Sequence, residues 1–168
     1  MRNKILEKQP QIKKKDIQLI IYDFDGVMTN NKVIIDQNGE ESVIVNRSDG
    51  LAISLLRKMG IKQIIISTEE NKVVQRRAEK LKIPCMNGIK NKLSTLKKYF
   101  QKNNIPKENI IYVGNDINDF EIMKFVAFPV APSDAHKDIK KIAKLVTKSK
   151  GGDGVIRELL DIFMEEKL

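Results

Sequence analysis

Three short apolar runs, Ile17 to Tyr22, Ile64 to Ile66 and Ile110 to Val113, each end in polar residues: Asp23 and Asp25, Ser67 and Thr68, Asn115 and Asp116. Short runs rich in β-branched residues read as strands buried on both faces. Helical patterns over 49 to 59, 70 to 82 and 91 to 103 separate them. This alternation predicts an α/β fold, a Rossmann-like doubly wound parallel sheet with helices on both faces. Such sheets gather their chemistry beyond the carboxyl ends of the strands, so the polar endings are expected to converge.

The remaining elements follow from local signals. Asp49 is expected to cap the helix at 49 to 59 and Gly60 to stop it. Residues 32 to 36 and 42 to 46 flank Asp36-Gln37-Asn38-Gly39, and Asn-Gly predicts a β-hairpin. Further on, the pattern predicts a short helix over 118 to 124 and a strand at Phe128-Pro129-Val130. A helix over 134 to 144, a short strand at Leu145-Val146 and a terminal helix over 153 to 166 complete it. With 168 residues the chain is expected to form one domain. Residues 1 to 15 read as a loosely ordered, lysine-rich start, 30 to 46 as a hairpin insertion, and 151 to 168 as a C-terminal tail. Gly151-Gly152-Asp153-Gly154 reads on composition as a flexible loop.

No apolar run approaches the ~20 residues of a membrane span, and the polar N-terminus lacks the apolar core of a secretory signal. The single cysteine, Cys85, excludes an internal disulfide and fits a cytoplasmic setting, with the thiol buried and structural. The formal net charge of +9 raises the possibility of a basic nucleic-acid-binding domain. The lysines, however, are dispersed along the chain, and aromatics make up only 5%, too few for a base-stacking platform. No nucleic-acid partner is therefore expected. His136, the only histidine, sits beside Lys137 and reads as inert.

Two carboxylates one residue apart at a strand end can divide the labour of nucleophile and general acid/base, and they can share a divalent cation. A hydroxyl at Ser67 and an ammonium at Lys92 can absorb charge on a transferring phosphoryl group. Singly, each has an ordinary reading: Asp-Phe-Asp-Gly as a turn, Ser67-Thr68 as a strand-end pair, Lys92 as a solvated lysine.

Taken together, the segments resemble the four motifs of the haloacid dehalogenase superfamily of phosphohydrolases. Asp-Phe-Asp-Gly-Val-Met-Thr (residues 23 to 29) resembles the first, implying Asp23 as nucleophile and Asp25 as acid/base. Ile-Ile-Ile-Ser-Thr resembles the second, implying Ser67 as the phosphate-binding hydroxyl. Asn-Lys-Leu resembles the third, implying Lys92. Tyr-Val-Gly-Asn-Asp-Ile-Asn-Asp resembles the fourth, the metal motif, which implies Mg²⁺ held by Asp23, Asp25 and Asn115 or Asp116, with Asp119 in support. The family usually carries Asp where this chain has Asn115; an amide oxygen can still serve Mg²⁺, without the charge.

Asn46-Arg47-Ser48-Asp49-Gly50, Arg76-Arg77-Ala78-Glu79-Lys80-Leu81 and Gly151 to Glu158 are similar to a capless branch acting on phosphates of eight- and nine-carbon sugar acids. The resemblance implies no cap domain. It also implies a homotetramer in which hairpins associate and a neighbour's tail, with Arg157, approaches the site. Thr29, Arg47, Thr68, Glu69, Arg76 and Arg157 are the candidate substrate-binding residues, although Arg76 and Arg77 also read as helix-surface or subunit-contact residues.

In the octulosonate 8-phosphate branch the position of Glu69 is typically Arg; in the acylneuraminate 9-phosphate branch it is typically Glu. Glu69 therefore leans the expected substrate toward a nine-carbon acid, although it could simply begin the next helix. A rival reading, favoured by Asn115, is a catalytically weak oligomerisation module associated with a sugar-acid cytidylyltransferase.

Overall fold

The computed structural model describes residues 16–165, so the loosely ordered start expected at 1 to 15 and the last residue of the terminal helix lie outside the described residues. Strand β1, Leu19–Tyr22, is followed by β2, Ile34–Ile35, and β3, Glu41–Ser42. Then come α1, Arg47–Lys58; β4, Lys62–Ile66; α2, Lys72–Leu81; β5, Cys85–Met86; and α3, Lys92–Asn103. After a 3-10 turn at Lys107–Asn109 come β6, Ile110–Val113; a second 3-10 turn, Ile117–Asp119; and α4, Phe120–Phe125. Strand β7, Phe128–Ala131; α5, Lys137–Ile142; β8, Leu145–Val146; and α6, Val155–Glu165, complete the order.

Six strands form one sheet in the order β5-β4-β1-β6-β7-β8, and every pairing is parallel. Alternate residues of each strand face opposite sides, and each side has its own core. Ile20, Tyr22, Ile65, Ile111 and Val113 pack with Ala52, Ile53 and Leu56 of α1 and with Ile156, Leu159 and Phe163 of α6. Leu19, Ile21, Ile64, Ile66 and Tyr112 pack with Leu96 and Phe100 of α3 and with Ile122 and Met123 of α4. Burial on both faces explains why the strands read as continuous apolar runs rather than alternating ones. Truncating Ile53 or Leu56, both fully buried, is expected to cost about 2–5 kcal/mol.

The hairpin is shorter than its apolar pattern suggested. Only Ile34–Ile35 and Glu41–Ser42 pair, with an isolated bridge between Thr29 and Val45. The Asp36 carboxylate accepts the N–H groups of Asn38 (2.8 Å) and Glu40 (2.9 Å), and the Asp36 N–H donates to the Glu40 carbonyl. Asp36 and Glu40 thus close a three-residue loop, with Gly39 at φ 80°. Strand β5 was not expected, because two residues after Pro84 carry too little periodicity to register. The helix expected over 134 to 144 begins only at Lys137; residues 134 to 136 form a connecting loop, and the His136 ring nitrogen accepts the Asp138 N–H.

The expected cap at Asp49 is also corrected. Helix α1 starts at Arg47, and Asn46 caps it by accepting the Ser48 N–H at 2.8 Å. Asp49 lies inside the first turn, is 2% exposed, and accepts the N–H groups of Ile156 and Arg157, both at 3.0 Å. It therefore caps α6, more than 100 positions away in the chain.

Candidate active site

Tyr22 is in register with Ile65 on one side and Val113 on the other. Asp23, Ser67 and Asn115 consequently emerge within two residues of the same line across the sheet. The Asp23 N–H still donates to the Val113 carbonyl at 2.9 Å, so the nucleophile candidate is held by the last rung of the ladder. The chain then turns at Gly26, whose φ is +79° and at whose Cα any Cβ would collide with the Asn115 carboxamide. Glycine is needed at this position on both counts.

Lys92 opens α3 beneath this turn. Its ammonium lies 2.8 Å from Asp23 Oδ1 and 2.7 Å from Asp119 Oδ1, with all three side chains almost wholly buried. Burial pulls the Lys92 pKa down, but Asp23 and Asp119 outweigh it, and the ammonium is held above the usual lysine range. Asp119 also accepts the Tyr112 hydroxyl on Oδ1 at 2.6 Å and the N–H groups of Asn115 (2.9 Å) and Asp116 (3.4 Å) on Oδ2. Both of its oxygens are occupied by protein donors, so it anchors Lys92 and the loop after β6. Burial pushes the Tyr112 hydroxyl well above its ordinary pKa, so it stays a donor.

Two buried carboxylates share a single ammonium here. Burial pushes the Asp23 carboxyl upward, to about 8; Asp119 adds to the shift and Lys92 opposes it. Ionised Asp23 therefore calls for a second positive charge nearby. The Asn115 side chain indicates where that charge fits. One terminal atom of its carboxamide faces the Asp25 carbonyl oxygen at 2.9 Å and Asp23 Oδ2 at 3.2 Å. With the nitrogen turned inward, the amide donates to both. With the oxygen turned inward, three oxygens converge: one carboxylate, one carbonyl and one amide. That is a donor set suited to Mg²⁺. Among the described residues no three His, Cys, Asp or Glu side chains cluster as metal ligands, so the set depends on the backbone and on an amide.

A cleft of about 320 Å³ opens over this centre, lined by Asp23, Asp25, Asn31, Thr68, Glu69, Asn115, Asp116 and Asn118. The Asp25 carboxyl is half-buried; burial and then the Glu69 charge raise its pKa, while Thr29 and Lys92 oppose the shift. A raised carboxyl suits a general acid. Ser67 is buried at the end of β4, where its hydroxyl accepts the Glu69 N–H at 3.0 Å. Asp116 is exposed and accepts the Ile117 N–H at 2.7 Å.

Other candidates lie apart from the cleft or are otherwise engaged. Thr29 is fully buried, and its hydroxyl accepts the N–H groups of Gly26 and Asn31, both at 3.2 Å, stapling the turn. Arg47 is exposed at the start of α1. Arg76 is exposed and pairs with Glu79. Arg77, read as a surface or subunit-contact residue, is part-buried and donates to the Asn46 carbonyl at 2.9 Å. Arg157 pairs with Asp161 on its own helix. Gly151 and Gly152 lie against residues 26 to 30 of the same chain, so this part of the tail covers the turn that follows Asp23 and Asp25. Cys85 is half-buried rather than buried, and burial raises its pKa, which disfavours the thiolate.

Tyr112, Asn31 and Asn118 were not anticipated as site residues. Tyr112 sat inside an apolar strand, where its hydroxyl carried no distinguishing pattern. Asn31 lies two residues past the first motif and Asn118 inside the fourth, and only those positions could have flagged them.

Residues 61–159 match the family model of haloacid dehalogenase-like hydrolases. The chain is 35% identical over 153 residues to the 3-deoxy-D-manno-octulosonate 8-phosphate phosphatase of Escherichia coli, covering 90% of this chain and 81% of that protein. Among solved structures, the Moraxella catarrhalis 3-deoxy-D-manno-octulosonate 8-phosphate phosphatase, a complex with magnesium, phosphate and 3-deoxy-D-manno-octulosonate (KDO), superposes with a TM-score of 0.86. It is 26% identical, and the match covers 90% of this chain and 88% of that one. The cobalt-bound deoxy-D-mannose-octulosonate 8-phosphate phosphatase of Haemophilus influenzae also gives 0.86, with 26% identity over 92% and 91% of the two chains.

Proposed function

The chain belongs to the haloacid dehalogenase-like hydrolases, and on that premise we propose that it removes the terminal phosphate of a small sugar acid through a phosphorylated Asp23. The observation that carries this reading is the buried Lys92 ammonium 2.8 Å from Asp23 at the end of the central strand. Asp23 attacks phosphorus as the bond to the sugar oxygen breaks. Asp25 gives its proton to that leaving oxygen. It then takes a proton from water, whose oxygen displaces Asp23 and frees inorganic phosphate. Lys92 and the Ser67 hydroxyl hold phosphoryl oxygens. Asp23, the Asp25 carbonyl and Asn115, with Asp116 through water, would hold Mg²⁺, which would supply neutralisation of charge on the phosphoryl group. Asp119 orients Lys92. Phosphate release from p-nitrophenyl phosphate should require Mg²⁺ and stop with EDTA; a pure protein inert under these conditions would rule the reading out.

The relatives' names point to an eight-carbon substrate, octulosonate 8-phosphate. A nine-carbon acylneuraminate-type 9-phosphate is the second reading, supported by Glu69 at the cleft wall. A carboxylate repels the substrate's own carboxylate but accepts hydrogen bonds from hydroxyls or an amide. Comparing kcat/KM for the two substrates decides between them, and a clear preference for octulosonate 8-phosphate removes the role given to Glu69.

Self-association through the hairpin is part of the proposal. Val33, Ile34, Ile35 and Ile44 are 47–62% exposed, an apolar surface that a monomer would leave wet. A homotetramer covers it, and Ile34→Asp should shift sedimentation toward monomer. No helix among the described residues is long and apolar enough to cross a membrane, and a cytoplasmic setting agrees with the single thiol.

A further inference from the structure

The loop from Thr147 to Gly154 takes no part in the chemistry above, yet its backbone is pinned along its length. The Glu158 carboxylate accepts the N–H groups of Lys148 and Ser149, each at 2.8 Å. The Thr147 hydroxyl donates to the Ser149 carbonyl at 2.8 Å. Asp134 Oδ1 accepts the Gly151 N–H at 2.9 Å, and the Gly152 N–H donates to the Val27 carbonyl at 2.9 Å. Beyond the loop, Asp49 caps the first N–H groups of α6. A Cβ on Gly151 would collide with the Gly26 carbonyl and lie 2.9 Å from that of Thr29.

Asp134 belongs to the segment that touches the other half of the site. Two residues on, the His136 N–H donates to the Asn115 carbonyl at 2.8 Å. The contacts close a ring: Asn115 against Gly26 and the Asp25 carbonyl, Asn115 to His136, Asp134 to Gly151, and Gly152 to Val27. We propose that Asp134 and the Gly151-Gly152 strap are positioning elements that hold the nucleophile turn, and with it the Asp25 carbonyl, in register with Asn115. The inference rests on the phosphatase reading above. None of these residues touches substrate; they act by fixing the turn that does, and displacing such a group by ~1 Å is enough to slow a reaction.

The test uses the full chain with p-nitrophenyl phosphate and Mg²⁺. Asp134→Ala should lower kcat about fivefold, leave KM unchanged, and raise the Mg²⁺ concentration needed for half activity. Asp134→Asn keeps an acceptor for the Gly151 N–H and should restore both. Gly151→Ala, which forces the turn to move, should lower kcat about a hundredfold. Gly154→Ala is the control: at φ +94° it strains the same loop, but its nearest neighbour outside the adjoining residues is Ser48 Oγ at 3.5 Å. It should lower the melting temperature without lowering kcat.

Two further measurements read the ring without turnover. The Gly152 amide should exchange faster in Asp134→Ala than in wild type, and the rise in melting temperature on adding Mg²⁺ should shrink. Unchanged kcat and unchanged Gly152 exchange in Asp134→Ala would overturn the proposal. So would an equal loss of kcat in Gly154→Ala. A wild-type protein without phosphatase activity defeats the functional reading instead, and the exchange and Mg²⁺ measurements then decide the ring by themselves.

Discussion

The Tyr112 hydroxyl donates to Asp119 Oδ1 at 2.6 Å, on the same oxygen that receives Lys92 Nζ. Both side chains are fully buried. A strand residue that faces the α3/α4 side of the sheet thereby fixes the carboxylate that orients the site's only buried ammonium among the described residues. Tyr112→Phe removes one donor from a buried charged acceptor and is expected to cost about 1.5–3 kcal/mol of stability. Because Lys92 stays paired, activity should fall less than in Lys92→Met. Urea unfolding and steady-state kinetics on the two variants check this, and an equal loss of activity in both would contradict it.

Asp23→Asn should abolish turnover with the fold intact. The substitution removes the attacking charge at nearly constant volume, and it leaves Lys92 balanced by Asp119 alone. The melting temperature is therefore expected to stay level or rise, since a buried carboxylate with half a partner is costly. Residual activity in a clean preparation would exclude Asp23 as the nucleophile.

Asn115→Asp places a third carboxylate beside Asp23 and Asp119. Without Mg²⁺ the variant should melt lower than wild type, through like-charge repulsion. With Mg²⁺ it should recover, and the half-saturating concentration for activity should fall. Melting curves at several Mg²⁺ concentrations separate the two effects. Unchanged Mg²⁺ dependence would place Asn115 outside the metal's ligands.

Asp49 carries a pH dependence of stability. Burial raises its pKa from the ordinary 3.8 to about 6, against the pull of the Arg157 and Ile156 N–H groups and of Arg77. The folded state therefore binds the proton more tightly than the unfolded chain. The associated stability is fully present below pH 3.8 and is lost as pH rises through about 6. Two pKa units correspond to about 3 kcal/mol. Asp49→Asn keeps an oxygen for the α6 cap and removes the titration, so it should gain on wild type between pH 4 and pH 7. Asp49→Ala should lose the cap at every pH. Urea midpoints across that range check the sign.

Much of the site was legible in the sequence because the strands that carry it are short, apolar and bounded by polar residues. Asp23, Asp25, Asn115 and Asp116 do line one cleft, and Ser67 and Lys92 are buried, Lys92 directly against Asp23. The errors fell where a side chain acts on something remote. Asp49 looked like the cap of its own helix because an acidic residue before an apolar stretch is the local sign of a helix start. Its Oδ1 is instead engaged with a helix more than 100 positions later. Gly151-Gly152 looked flexible because glycine is permissive; in the fold the missing side chains are what let the strap approach residues 26 to 30.

The sequence by itself determined the alternation of strand and helix, the sheet class, and which residue types stand at the strand ends, since all of these are written in periodicities a few residues long. Only the tertiary structure decided which buried charges meet. Lys92 became a buried ion-pair partner rather than a surface lysine because α3 packs so that its first turn sits under the end of β1. Asp134 met Gly151 because the neighbouring strands β7 and β8 end side by side, and Tyr112 met Asp119 because the Ile117–Asp119 turn folds the chain back against the end of β6. Such pairings depend on how whole elements dock, and no local pattern of residues encodes them.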